Sequence, residues 1–244
     1  MKKELAKYSI QCSGVWVAPK VVQSRRRKTV SLEVKHGELT IRTPVGTPEE
    51  WVQQFIEQRR SWIEEHMAAQ LTRQQNYQIN PYETRTVLLK GRDIPLNIRH
   101  SAERSAVVLC HESIEMNLSR RISRPPERVA DSLLQSWLAE QAKAYLIPRT
   151  LELSNTVGLE PNRVDIGNYK SMWGRCSAKG DIGLNWRLMM AAPEAIDYVI
   201  IHELCHLQEF NHSAAFWQKV ALFCTDTPTW RHYFKERGVW LQWR

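Results

Sequence analysis

Ile201-His202-Glu203-Leu204-Cys205-His206-Leu207-Gln208-Glu209-Phe210-Asn211-His212 carries three of the chain's eight histidines. Its reading decides the fold. On a helix, His202 and His206 stand one turn apart on the same face. Two imidazoles at that spacing can hold one Zn2+, with Glu203 beside them to take a proton from a water. The third histidine needs a break. An unbroken helix from His206 to His212 would turn the side chain by about 600° and leave it some 120° off the ligand face. The sequence supplies a stop, since Asn211 tolerates a left-handed backbone and Ser213 is a good N-cap for a new helix over 214–222. The bland alternative is a buried helix whose histidines only pack. Three His and a Glu in this pattern favour the metal site.

Ligands at the first, fifth and eleventh positions also mark metzincins, where a Gly stands at the eighth and a Met follows downstream. Here the eighth is Glu209 and no Met follows His212, so that reading fails. Cys205 lies inside the motif and reads as a small packing residue, because three imidazoles already leave one open position.

Working outward, Pro193 opens the motif helix. Before it come two predicted strands, Arg163 to Lys170 and Asp181 to Arg187, separated by Trp173-Gly174-Arg175-Cys176. A long helical pattern runs from 126 to about 157, to be kinked by Pro148 and stopped by Gly158. Arg124-Pro125-Pro126-Glu127 marks a break, which sets an expected boundary near 124. The stretch 111–124 reads as polar, while Thr86 to Leu89 and Ala106 to Leu109 read as β-like. Residues 15–45 read as strands with a turn at His36-Gly37. One amphipathic helix follows over about 47–67, with Thr47 as N-cap, Pro48 at the first helical position and the rows Trp51, Phe55, Trp62 and Val52, Ile56, Ile63 at helical spacing.

At 244 residues and 43% hydrophobic content the chain has material for a sizeable core. Its five cysteines form no CxxC pair and are odd in number, which argues against a secreted disulfide framework. The start carries lysines but no long apolar run, and no stretch is long enough to cross a bilayer. The expectation is a cytoplasmic protein with no membrane partner. The net charge of +8 is concentrated: residues 1–30 hold eight Lys or Arg against one Glu. Arg25-Arg26-Arg27-Lys28 supplies half of those cations, either as a solvated turn or as a contact for phosphates of a nucleic acid.

The segment Pro193 to Leu207 with Asn211-His212-Ser213 and Phe216-Trp217 resembles the YgjP-like metallopeptidase family, relatives of the SprT-type zinc proteases. Lys170 to Ser177, Ile182-Gly183-Leu184-Asn185, Arg25 to Leu32 and Trp62-Ile63 resemble it too. Family members usually carry Arg where Met172 stands and Ser where Arg175 stands. The resemblance implies an α+β, zincin-like (minigluzincin) domain over 125–244, with an HExxH helix, a backing helix and a small antiparallel sheet. A β-rich N-terminal region, 1–124, would precede it. It implies Zn2+ held by His202, His206 and His212, and Glu203 as the catalytic residue. It also implies that the Asp181–Arg187 strand is the sheet edge lining the cleft, with Leu184 and Asn185 against an extended substrate. The function expected is a zinc metallohydrolase cutting peptides or proteins. The alternatives are a metal-dependent nucleoside triphosphate pyrophosphohydrolase and a DNA-associated SprT-like protease. For the oxyanion, Tyr198, Arg231, His232 and Tyr233 are equal candidates.

Overall fold

The computed structural model describes residues 8–12, 15–35, 38–76 and 79–243. The expected His36-Gly37 turn and the lysines at 2, 3 and 7 lie outside the described residues. The chain divides into two compact units, Met1–Gln78 and Ile79–Arg244. Among the described residues it is a mixed α+β protein with small sheets and seven α-helices. None of those helices is long and apolar enough to cross a membrane.

In the first unit, β1 (Ile10–Cys12) pairs antiparallel with β2 (Val15–Val17). A second sheet runs in the order β3 (Lys20–Ser24), β5 (Glu38–Pro44), β4 (Ser31–Lys35). Leu39, Ile41 and Thr43 alternate into the core along β5, as a strand with one covered face requires. The single helix expected over 47–67 is two, α1 (Glu49–Gln58) and α2 (Arg60–Asn76), parted at Arg59. Thr47 does not cap α1; its hydroxyl donates to the Pro44 carbonyl at 2.9 Å and closes the preceding turn instead. Val52, Ile56, Ile63 and Met67 form the core with Leu39 and Ile41. Trp51, from the other row, stays exposed and stacks on Phe55. Arg25, Arg26 and Lys28 are exposed in the turn between β3 and β4. Arg27 turns inward and donates to Ser31 Oγ at 2.9 Å.

The second unit opens with α3 (Pro81–Thr84) and a sheet ordered β6 (Thr86–Leu89), β7 (Arg92–Ser101), β9 (Ser113–Ser119), β8 (Ala106–Cys110). The polar-looking stretch 111–124 thus contains a strand. Ile114, Met116 and Leu118 of β9 are fully buried, and β9 packs on the long helix α4 (Pro126–Val157). That packing moves the boundary from the expected 124 to the end of the first unit, and Pro125-Pro126 marks only the start of α4. The β6–β7 turn is bound in as well. Lys90 N donates to the Met189 carbonyl at 2.7 Å and Gly91 N to that of Met190 at 3.2 Å. The Lys90 ammonium sits 3.6 Å over the Tyr145 ring of α4.

Helix α4 runs 32 residues through Pro148 and ends at Gly158, whose φ of 71° is a left-handed conformation that glycine adopts without a Cβ penalty. Leu134, Leu138, Ala142, Leu146 and Thr150 form its fully buried stripe. A three-stranded sheet follows in the order β10 (Arg163–Gly167), β12 (Asp181–Asn185), β11 (Gly174–Cys176). It is mixed, not antiparallel as expected, since β10 runs parallel to β12. The same pattern of a third strand parallel to the first and antiparallel to the second occurs in β3–β5 and β7–β9. A 3-10 turn (Trp186–Met190), α5 (Pro193–Cys205), α6 (Ala214–Phe223), α7 (Thr227–Glu236) and a 3-10 turn over Arg237–Gln242 complete the unit.

Helix α5 is buried almost all round, as expected of a helix covered on every side. Its rotation is fixed by Arg149 of α4. That guanidinium grips Asp197 at both oxygens, at 2.8 and 2.6 Å, the fork geometry that gives arginine its directionality. Asp197 sits five residues before His202, so this grip sets which face of α5 carries the motif.

Candidate metal centre

His202, His206 and His212 bring one ring nitrogen each to within 4.8 Å of one another. His202 comes from α5, His206 from the C-cap position that follows it, and His212 from the turn beyond. Helix α5 stops at Cys205, and the chain leaves it through a tight turn in which Gln208 N and Glu209 N both donate to the Cys205 carbonyl. The expected left-handed Asn211 is not used; among the described residues only Arg85, Lys90 and His111 combine a side chain with positive φ. The Lys219 ammonium of α6 donates to Gln208 Oε1 and anchors the turn from outside. Ser213 does cap α6, accepting from Phe216 N at 3.3 Å.

The donor set fits a divalent cation. His212 Nε2 and His202 Nε2 face each other at 3.0 Å, close to the ~3.3 Å that two nitrogens at zinc bond length take up around a tetrahedral ion. His206 Nδ1 lies 2.9 Å from the Glu209 carbonyl, which makes Nδ1 the protonated nitrogen and leaves Nε2 as a free lone pair. Burial drives the His202 pKa down to about 3, with the neighbouring histidines and Arg231 pushing the same way. The ring is therefore neutral, the state a metal ligand needs. His202 Nδ1 is buried without a hydrogen-bond partner among the described residues, so packing orients that ring. Phe216 supplies the packing: its ring lies 4.8, 4.4 and 4.9 Å from those of His202, His206 and His212. The sequence shows Phe216 only as an apolar residue of the helix after the motif.

Glu203 is only 5% exposed, and burial pushes its carboxyl up to about 8. It reaches its position because residue 174 is glycine. A Cβ on Gly174 would lie 2.6 Å from both Cγ and Oε1 of Glu203. The edge strand β11 therefore lies directly against the carboxyl. Gly174→Ala is expected to push the carboxyl aside, lower hydrolysis on the order of a hundredfold and leave metal content intact. Parallel metal analysis and turnover measurements check it, and unchanged turnover would show that the contact does not matter.

Leu184 and Asn185 lie inside the sheet. Both have zero exposure, because β12 is the middle strand and not the edge. Asn185 Nδ2 donates to the Tyr169 and Met172 carbonyls at 2.8 and 2.9 Å, which ties down the loop before β11. The edge that lies against Glu203, unpaired among the described residues, belongs to Gly174–Cys176. Cys205 is fully buried, its thiol pushed up to about 11, and it stands outside the cluster.

The four oxyanion candidates are no longer equal. Tyr233 OH accepts from Ala192 N at 3.1 Å and serves the start of α5. His232 is exposed and makes no described contact with the cluster. Tyr198 is buried with its ring 5.9 Å from that of His202, and burial raises its phenol to about 12, so it remains a neutral donor. Arg231 acts on the site by charge, helping to lower both His202 and His212.

Comparison with known proteins meets this geometry. Residues 28–237 match the family model described as YgjP-like, metallopeptidase domain. The chain belongs to this family. No curated protein matches it. Among solved structures, the crystal structure of the metallopeptidase zymogen of Pyrococcus abyssi abylysin matches with 29% identity, covering 31% of this chain and 76% of that one at a TM-score of 0.29. The YgjP-like assignment rests on the family match, which spans most of both units. It makes a metal ion an expected component of the YgjP-like domain, and the three-histidine group is where this chain can hold one.

Proposed function

We propose that this YgjP-like chain is a zinc metallopeptidase of zincin type, with α5 as the HExxH helix, α4 as its backing helix and β10–β12 as the sheet above the cleft. The observation that carries the reading is the convergence of three imidazoles beside a buried carboxyl that a glycine strand leaves room for. His202, His206 and His212 would hold the ion. Zn2+, when bound, supplies Lewis acidity that makes water acidic enough to attack at neutral pH and polarises the substrate carbonyl.

The chain's own residues do the rest. Glu203, in the ionised form that a bound dication would favour over the acid that burial alone favours, accepts the proton of the attacking water as its oxygen bonds to the carbonyl carbon. The carboxyl then passes that proton to the amine as the C–N bond breaks. The free edge of β11 can pair with an extended peptide through main-chain hydrogen bonds, holding the scissile bond beside Glu203. The buried Phe216 ring backs all three imidazoles. The direct test is to measure metal in the purified protein and to screen it against a peptide pool. Equimolar zinc with metal-dependent cleavage supports the reading, and a metal-free active protein would end it.

Hydrolysis of nucleoside triphosphates would need several cations to hold the phosphates. Arg231 is the cation whose charge reaches the histidines, which is little for a triphosphate. A nucleic-acid role for the first unit rests on Arg25, Arg26 and Lys28, all exposed in one turn. If that turn contacts phosphates, replacing Arg25, Arg26, Arg27 and Lys28 with Gln should weaken binding and flatten its salt dependence by about three to four in log–log slope. Titration of a DNA duplex across a salt series reads this directly, and absence of binding by the native chain at low salt leaves the turn merely solvated.

A further inference from the structure

The guanidinium of Arg231, on α7, lies 4.4 Å over the Trp217 ring. Trp217 stacks in turn on His212, with ring centroids 5.5 Å apart and planes 21° from parallel. Tyr198, also beside His202, feels the same charge. Arg231 is exposed on one side, and among the described residues it has no carboxylate within ion-pair distance. A cation fixed next to a site built for a dication is unfavourable once the ion is bound, and no carboxylate is paired with Arg231 to offset the repulsion. An anionic oxygen arriving with the substrate would offset it. The aromatic face meanwhile holds the guanidinium fork in place without consuming its donors.

We propose that Arg231 and Trp217 form an anion subsite of the cleft that receives a negatively charged oxygen of the substrate. The first candidate is the free carboxylate of a peptide cut near its C-terminus. The inference rests on the peptidase reading for its substrate and on the Arg231–Trp217–His212 stack for its place. The other source of the same chemistry is the oxyanion that develops on the scissile carbonyl. The two sources separate by which parameter moves.

The test compares the native chain, Arg231→Met and Arg231→Lys on N-acetylated peptides ending in a free acid or an amide. Calorimetry on the same changes in a Glu203→Gln background reads binding without turnover. If the subsite takes the carboxylate, the native chain prefers acids by about tenfold or more, Arg231→Met loses that preference in KM and in affinity, and Arg231→Lys keeps part of it. If it takes the oxyanion, Arg231→Met lowers kcat by a similar factor on acids and amides while binding is unchanged. Either result supports the subsite. Unchanged kinetics and binding in Arg231→Met overturn it. So does loss of metal in that variant, since removing a nearby cation should leave metal affinity equal or higher. Should no peptide bind or be cut, the peptidase reading fails separately. Titration with inorganic phosphate then decides the subsite alone: binding by the native chain that Arg231→Met loses sustains it, and no difference removes it.

Discussion

Glu203→Gln is expected to keep its zinc and lose at least about a hundredfold in hydrolysis, the scale of a missing general base. Gln matches the carboxyl in size, so it fits the space left by Gly174 without disturbing the imidazoles, and it cannot accept the proton. The variant should still bind extended peptides along the β11 edge without cutting them. Metal analysis, peptide affinity and turnover on one preparation read all three. Cleavage that persists undiminished would sink the mechanism whatever the substrate. If the metal is structural only, neither metal content nor any activity changes.

Ligand removal has the other large effect. His202→Ala and His206→Ala are expected to abolish stable metal binding, a loss larger than the ~10–100-fold that removing a supporting outer partner costs. His202→Ala also opens a hole beside Phe216 and Tyr198, so its melting temperature should fall even without metal. His212 is exposed, and His212→Ala should weaken metal binding substantially while the metal-free protein melts as before. Competition with a chromogenic chelator and thermal melts with and without metal separate these effects. Wild-type metal affinity in His212→Ala would mean that the third ligand lies elsewhere.

Much of the site was legible because it is local. The one-turn spacing of His202 and His206 needs only helical geometry, and Ser213 announces the restart that brings His212 round. The device that ends α5 was misread, because Asn211 looked like the stop while turn bonds to the Cys205 carbonyl do the work. What depends on distant pairing was not legible. The order of three short strands follows from β10 pairing directly with β12, past the β11 that lies between them in sequence, which no alternation pattern encodes. Leu184 and Asn185 were therefore assigned to a surface they do not have. The Pro125-Pro126 break was real but marked a helix start, since the partner of α4 is the alternating face of β9. Gly174 is visible in the sequence as a loop glycine, but its purpose requires knowing that Glu203 lies behind it.

All three imidazoles fall between residues 202 and 212, so closing the loop that gathers them costs little chain entropy. The carboxyl is positioned differently, by a strand nearly thirty residues upstream, and Arg231 comes from a helix beyond the ligands. Metal capture and catalytic competence are thus separable along the folding route. On the proposed reading, a partly unfolded or misassembled molecule that keeps the end of α5 and its following turn would take up a metal ion and do no chemistry. Metal stoichiometry would then count chains and not working enzymes, and specific activity per mole of metal becomes the measure of how many molecules have seated β11 against Glu203.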